Sequence, residues 1–180
     1  MPRNALVTGP PRSGKTTALE RTVSRLREQS YAVGGIFCPE LREDGERVGF
    51  EIVGLSNGDR GVMAHAAFEN GPSVGKYRVD VAAVDRIAGR ALSAAVDDAD
   101  CVVIDEIAPM ELESERFVRE TRRALDATVP TLAAITYHSR EGFLGEVKSR
   151  TDVEVFEVTP ETRAELPETL FDWVRTRRER

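Results

Sequence analysis

The stretch Gly9-Pro10-Pro11-Arg12-Ser13-Gly14-Lys15-Thr16 has the spacing GxxxxGK[ST], and each residue type in it answers a need of a bound polyphosphate. Glycines at both ends let the backbone curl its N–H groups around phosphate oxygens, and a helix starting at the lysine adds partial positive charge. Lys15 is spaced to reach the β and γ phosphates, Thr16 to place its hydroxyl on a magnesium ion, and Thr17 to contact the α phosphate. A second chemical centre is Asp105-Glu106, which directly follows the apolar run Cys101-Val102-Val103-Ile104. An acid at such a strand tip can complete the magnesium shell, the role expected of Asp105 as a Walker B aspartate. Glu106 can then orient and deprotonate an attacking water.

These residues need a particular scaffold. Ala5 to Thr8 is a short apolar run ahead of the loop, and Leu19, Val23 and Leu26 recur at helical spacing between Lys15 and about Gln29. Strand, loop and helix therefore follow one another, as a phosphate cradle requires. Ala32 to Cys38 reads as a second strand, and the turn signal Asp44-Gly45 separates it from the alternating strand Gly49 to Val53, predicting a β-hairpin insertion. Short strands are expected at Arg60 to Ala66 and Lys76 to Val79, then a helix carrying Val84, Ile87, Ala91, Leu92 and Ala95. Beyond the acidic tip come a helix from Glu113 to Ala127, a strand from Thr131 to Tyr137 and a helix from Glu141 to Lys148. A strand from Glu154 to Val158 and a helix from near Pro160 close the order, with Arg175 to Arg180 as a solvated helix end. Alternating strands and helices predict an α/β fold, a mainly parallel sheet flanked by helices, in one domain over 1–180.

Composition narrows the function classes. With 41% hydrophobic and 31% charged residues and no apolar run near bilayer length, a spanning protein is excluded and a cytoplasmic one expected. A net charge of −6 speaks against general nucleic-acid binding, which needs a cationic surface. Cys38 and Cys101 fall in strand-like stretches and read as small buried hydrophobes. Lysine occurs only at Lys15, Lys76 and Lys148, so each marks a place where a compact ammonium is worth examining. A monomer is expected.

Further residues agree in order with a known family. Gly34-Gly35-Ile36-Phe37, Arg42 with Gly45, Arg47, Gly49 and Phe50, and Gly75-Lys76-Tyr77 join the loop in this. So do Ile104-Asp105-Glu106-Ile107 with Met110 and Glu111, and Lys148-Ser149-Arg150. Over nearly its whole length the chain resembles the THEP-type nucleoside-triphosphatases, P-loop NTPases with an animal relative called the cancer-related nucleoside-triphosphatase. The resemblance implies slow, broad-specificity hydrolysis of ATP, GTP and other triphosphates to diphosphate and phosphate on a RecA-like or kinase-like sheet. It also implies a nucleotide site made of the P-loop and Cys101, Val102, Val103, Ile104, Asp105, Glu106, Ile107 and Ala108. Ala108-Pro109 stands where the family usually has glycine, and Tyr137 where it has an aliphatic residue.

Thr136 and His138, at the end of the strand after the acids, are candidates to sense the γ phosphate, whereas His65 reads as structural. Arg12, Arg42, Arg47 and Arg150 are candidates for a charge-neutralising arginine, and Lys148 with Arg150 falls near the expected base-binding edge. The alternative reaction is phosphoryl transfer to a small molecule or nucleotide, with Glu106 taking the proton of an acceptor hydroxyl. A guanine-specific switch is disfavoured, because none of Asn4, Asn57 and Asn70 is followed by lysine.

Overall fold

The computed structural model describes residues 1–179. Strand β1 (Asn4–Thr8) is buried along nearly its whole length, as expected of a central parallel strand covered on both faces. Helix α1 (Lys15–Glu28) starts at the lysine, with Gly14 at its N-cap in the left-handed region, φ 105°. Strand β2 (Val33–Phe37) leads to β3 (Glu40–Glu43) and β4 (Glu46–Gly54). The last two pair antiparallel across Asp44 and Gly45, whose φ values of 51° and 80° are those of a type I′ turn. Strand β5 (Arg60–His65) and the short hairpin of β6 (Ser73–Val74) and β7 (Tyr77–Val79) precede α2 (Val81–Asp98). Strand β8 (Cys101–Ile107), a 3₁₀ turn (Glu111–Glu113), α3 (Glu115–Asp126) and β9 (Thr131–Ile135) follow. Helix α4 (Gly142–Lys148), β10 (Val153–Glu157) and α5 (Leu166–Arg178) end the described chain.

The sheet runs β10-β1-β9-β8-β2-β4-β5-β7-β6, with β3 on β4. From β10 to β2 the strands are parallel; from β4 onward they are antiparallel. Because β9 lies between the strand feeding the glycine loop and the strand bearing the acids, the parallel part has the RecA-like of the two expected arrangements. Alternation along β1 divides the interior: Leu6 packs with residues of α2 and α3, while Ala5 and Val7 pack with those of α1 and α5.

Gly34 and Gly35 explain why β2 can sit so close to its neighbours. A Cβ on Gly34 would lie 2.6 Å from the Ala95 Cβ of α2, and one on Gly35, at φ 120°, would collide with the Val103 carbonyl of β8.

The last helix starts at Leu166 and not near Pro160. Thr159 and Thr162 bond each other's backbone N–H groups through their hydroxyls, at 2.9 and 3.1 Å, holding the chain in a turn until Pro167 can open a helix. The expected solvated tail is tied down in part: Arg178 bonds Asp100 at 3.2 Å and stacks on Tyr31, and Arg177 covers Trp173. Arg180 lies outside the described residues.

Candidate active site

The glycine loop joins β1 to α1. Inside it, the Ser13 N–H donates to the Pro10 carbonyl at 3.1 Å, and Gly9 packs so tightly that a Cβ there would lie 2.6 Å from the Ser13 hydroxyl. Helix α1 begins without a side-chain cap, unlike α2 and α3, which Asp80 and Ser114 cap, and it has no acid in its first turn. Its first N–H groups and its positive dipole end therefore face the loop's concavity, the arrangement suited to a phosphate.

The acids reach this cradle through an irregularity in β8. Ile104 and Ile107 pair with Ala133 and Ile135 of β9, so Asp105 and Glu106 together face one residue of the neighbour. Such a bulge interrupts the strict in-out alternation of a strand. Both acids accordingly line the same cavity, where regular alternation would have sent them to opposite faces. Asp105 is 6% exposed, and burial raises its carboxyl from 3.8 to about 7, against the lowering effects of a hydrogen bond from Thr16 and the nearby Lys15. Glu106 accepts from the Lys15 ammonium at 3.2 Å.

The cavity has a volume of about 970 Å³ and takes in Gly9, Pro11, Arg12, Ser13, Gly14, Lys15, Thr16 and Thr17. Pro10, expected in the site, is exposed but not on the cavity wall. Of the expected segment Cys101 to Ala108, only Asp105, Glu106 and Ala108 reach the cavity. Cys101, Val102, Val103, Ile104 and Ile107 are fully buried in the sheet, because the strand that presents the acids must itself be core. Cys38 also departs from expectation. It lies just past β2, lines the cavity, and its sulfur bonds the backbone of Glu106; burial, then the nearby Glu111, push its thiol well up.

Thr136, Tyr137 and His138 reach the cavity from the end of β9. The Thr136 hydroxyl donates to the Ile107 carbonyl at 3.3 Å, Tyr137 donates to Glu157 at 3.0 Å, and the two rings of Tyr137 and His138 lie 4.4 Å apart. Lys148 turns out to be an anchor and not a base-binding group. Its ammonium donates to the carbonyls of Thr136, Tyr137 and Ser139 at 2.5, 3.0 and 2.7 Å, fixing the loop that carries these side chains.

Among the candidate arginines, Arg12 and Arg47 line the cavity. Arg150 is held by Asp126 and Asp152 at 2.9 and 2.8 Å, and Arg42 by Glu40 and the Gly45 carbonyl, so both serve the scaffold. His65 accepts the Ala67 N–H at the end of β5, a structural role, and Lys76 is exposed in the β6–β7 turn with its ammonium 5.4 Å from the Tyr77 ring.

One acid at the cavity wall has no role that sequence reasoning could assign. Glu111 is 4% exposed, its Oε2 has no hydrogen-bond partner, and burial drives its carboxyl well above the usual range. The residue stands in the sequence as one acid among several, and only the fold of the 3₁₀ turn puts it inside.

Thr16 and Asp105 are the residues that would hold the expected magnesium. Thr16 and Asp105 offer hard oxygen donors already in hydrogen-bond contact, and the buried carboxylate needs a cation to hold its charge. Among the described residues no group of three or more His, Cys, Asp or Glu could hold a metal alone. That is compatible with an ion that takes only one or two protein ligands and shares the rest with phosphates and water.

Residues 4–171 match the NTPase family. The nucleoside-triphosphatase THEP1 of Methanopyrus kandleri is 42% identical over 175 residues, covering 97% of this chain and 96% of that one. THEP1 of Thermofilum pendens is 41% identical, covering 93% of each chain. Among solved structures, that of a human cancer-related nucleoside triphosphatase superposes with a TM-score of 0.81 at 32% identity, covering 97% of this chain and 98% of the other. The crystal structure of THEP1 from Aquifex aeolicus gives 0.83 at 25% identity, over 95% and 98%. Matched by the family model over residues 4–171 and by relatives over almost its whole length, this chain belongs to the NTPase family.

Proposed function

We propose that this protein hydrolyses nucleoside triphosphates to diphosphate and phosphate, with magnesium, slowly and with little choice of base. The observation that carries this is the meeting of Lys15 with Glu106 at 3.2 Å beside Asp105 and Thr16. Relatives that align over nearly the full chain are named nucleoside-triphosphatases, which supports the same reaction.

Lys15 and the first N–H groups of α1 bind the β and γ phosphates, drawing the ammonium away from Glu106. Thr16 and Asp105 would hold magnesium, which supplies charge neutralisation across the phosphate oxygens. The freed Glu106 carboxylate orients a water and takes its proton as the water oxygen attacks the γ phosphorus, the bond to the β–γ bridging oxygen breaks and the diphosphate leaves. Thr136 and His138, on the loop anchored by Lys148, stand at the same cavity to report the γ phosphate, and Arg12 is placed to offset its charge. The groups assigned here all address the triphosphate, which every nucleoside triphosphate shares whatever its base; hence the broad specificity. A base that begins ion-paired to the lysine has to be released in every cycle, in keeping with slow turnover.

The test is phosphate release from ATP, GTP, CTP and UTP, with magnesium and with EDTA, on wild type, Lys15→Ala and Glu106→Gln. Release from all four with magnesium is expected, with Lys15→Ala inactive and Glu106→Gln slower by about 10²–10⁴-fold while still binding nucleotide. No phosphate from any triphosphate with magnesium would refute the assignment.

A further inference from the structure

Among the described residues, Glu111 is the acid of the cavity wall that is neither ion-paired nor used by the proposed reaction. It is 4% exposed, and its Oε2 has no hydrogen-bond partner. An orphaned polar atom of this kind costs about 1–3 kcal/mol, so a residue that only filled space here would be better apolar. The backbone fixes it on both sides. The Leu112 N–H donates to the Ala108 carbonyl and the Ser114 N–H to the Glu111 carbonyl, each at 3.1 Å, and the buried Ser114 hydroxyl then accepts the Phe117 N–H to open α3.

Its neighbours identify what it faces. The Cys38 sulfur bonds the Glu106 backbone, and of the charges acting on this thiol Glu111 weighs most. Glu106 in turn is the charge that weighs most on Glu111, ahead of Asp105. Cys38, Glu106 and Glu111 therefore form one cluster at the cavity, with Glu111 beside the base of the proposed reaction. Burial, with these two acids around it, holds the Glu111 carboxyl well above the usual range, and a carboxyl that keeps its proton is a hydrogen-bond donor. Glu106 needs one. Its side chain is 31% exposed, and its partner among the described residues is the Lys15 ammonium at 3.2 Å. Once a triphosphate draws Lys15 away, so exposed a carboxylate turns freely unless another group catches it.

We propose that Glu111 is a positioning residue for hydrolysis: its carboxylic acid donates the hydrogen bond that replaces Lys15 at Glu106 and turns the other Glu106 oxygen toward the attacking water. The Glu111 proton stays on Glu111 throughout. The water proton passes to Glu106 and from there to solvent as phosphate leaves, and Lys15 returns to its ion pair. The inference rests on Glu106 as the base of the proposed reaction, so the two are tested together.

Phosphate release from ATP with magnesium is measured for wild type, Glu111→Leu, Glu111→Gln, Glu106→Gln and the double variant carrying Glu106→Gln and Glu111→Leu, with protein in excess of ATP for the slow ones. Affinity for a non-hydrolysable ATP analogue and the melting temperature in EDTA are read alongside. Glu111→Leu is expected to lower kcat by about 10- to 100-fold with analogue affinity unchanged. Its melting temperature should be at or above that of wild type, because an unpartnered buried acid gives way to an apolar side chain of similar size. Glu111→Gln keeps a hydrogen-bond donor and should recover most of the rate. In the Glu106→Gln background Glu111→Leu should cause no further loss, since residues that act through one another are not additive. Wild-type kcat in Glu111→Leu, equal slowing in both backgrounds, Glu111→Gln as slow as Glu111→Leu, or a rate loss that follows a fall in melting temperature each overturns the positioning role and leaves the triphosphatase standing. Absence of phosphate from wild type overturns both assignments.

Discussion

Replacing Asp105 with asparagine separates what this residue does for function from what it costs the fold. Its carboxyl is 6% exposed and titrates near 7, raised from 3.8 chiefly by burial and further by Glu106, while Thr16 and Lys15 pull it down. A carboxyl whose pKa is higher in the folded state binds its proton more tightly there, so folding is favoured most at low pH. That contribution is complete below about pH 4 and is lost as pH rises through 7. The displacement corresponds to about 4 kcal/mol in all, of which about 2.5 kcal/mol falls between pH 5 and pH 8. For a chain of this size that is about 5–10 °C in melting temperature. The measurement is thermal unfolding of wild type and Asp105→Asn in EDTA without nucleotide, at several pH values from 5 to 8. Wild type should lose about 5–10 °C more than the variant across this range and should melt below it at pH 8. Glu111 is raised chiefly by burial, which is present in both proteins and cancels in the difference; only the smallest of its causes, the Asp105 charge, goes with the variant. Magnesium with a triphosphate should recover the loss in wild type only. Parallel melting curves, or a variant less stable than wild type at pH 8, would refute the account of Asp105 as a buried acid waiting for a cation.

Two further substitutions test the supports around the site. Lys148→Ala removes the anchor of the three carbonyls from Thr136 to Ser139. A melting temperature lower by about 4–12 °C, from about 2–3 kcal/mol, and faster amide hydrogen exchange from 136 to 139 are expected. Unchanged exchange there would show that the loop holds itself. Gly35→Ala sets a Cβ against the Val103 carbonyl at a φ of 120°. It should lower the stability read from a urea midpoint by about 3–5 kcal/mol, and a wild-type midpoint would contradict the close approach of β2 and β8.

Much of the fold is legible in the residues because local chemistry and global packing agree there. Cys101 to Ile104 is continuously apolar and becomes a fully buried strand; Asp44-Gly45 is the residue pair that tolerates two positive φ values and becomes a tight turn. Where a local device competes with periodicity, the reading slips. The reciprocal hydroxyl bonds of Thr159 and Thr162 delay α5 by several residues, although the apolar spacing of Leu166, Leu170, Trp173 and Val174 is read correctly.

The sequence by itself determined the proposed phosphate grip: spacing alone singles out Gly9, Gly14, Lys15 and Thr16, since a loop between strand and helix makes its nest from neighbouring residues. The pair Asp105-Glu106 was visible for the same reason, as acids ending an apolar run. Only tertiary structure decided the rest. The bulge between Ile104 and Ile107 puts both acids at one cavity, and that bulge is defined by pairing with β9, a strand distant in the chain. Lys148 and Arg150 look alike as cations near one helix end, yet one anchors the loop at the site and the other pairs with Asp126 and Asp152. Glu111 and Cys38 lie far apart in sequence and acquire their chemistry from the same burial. Contacts within a few residues leave a trace in sequence spacing, whereas burial and side-chain direction are set by chain segments that spacing does not relate.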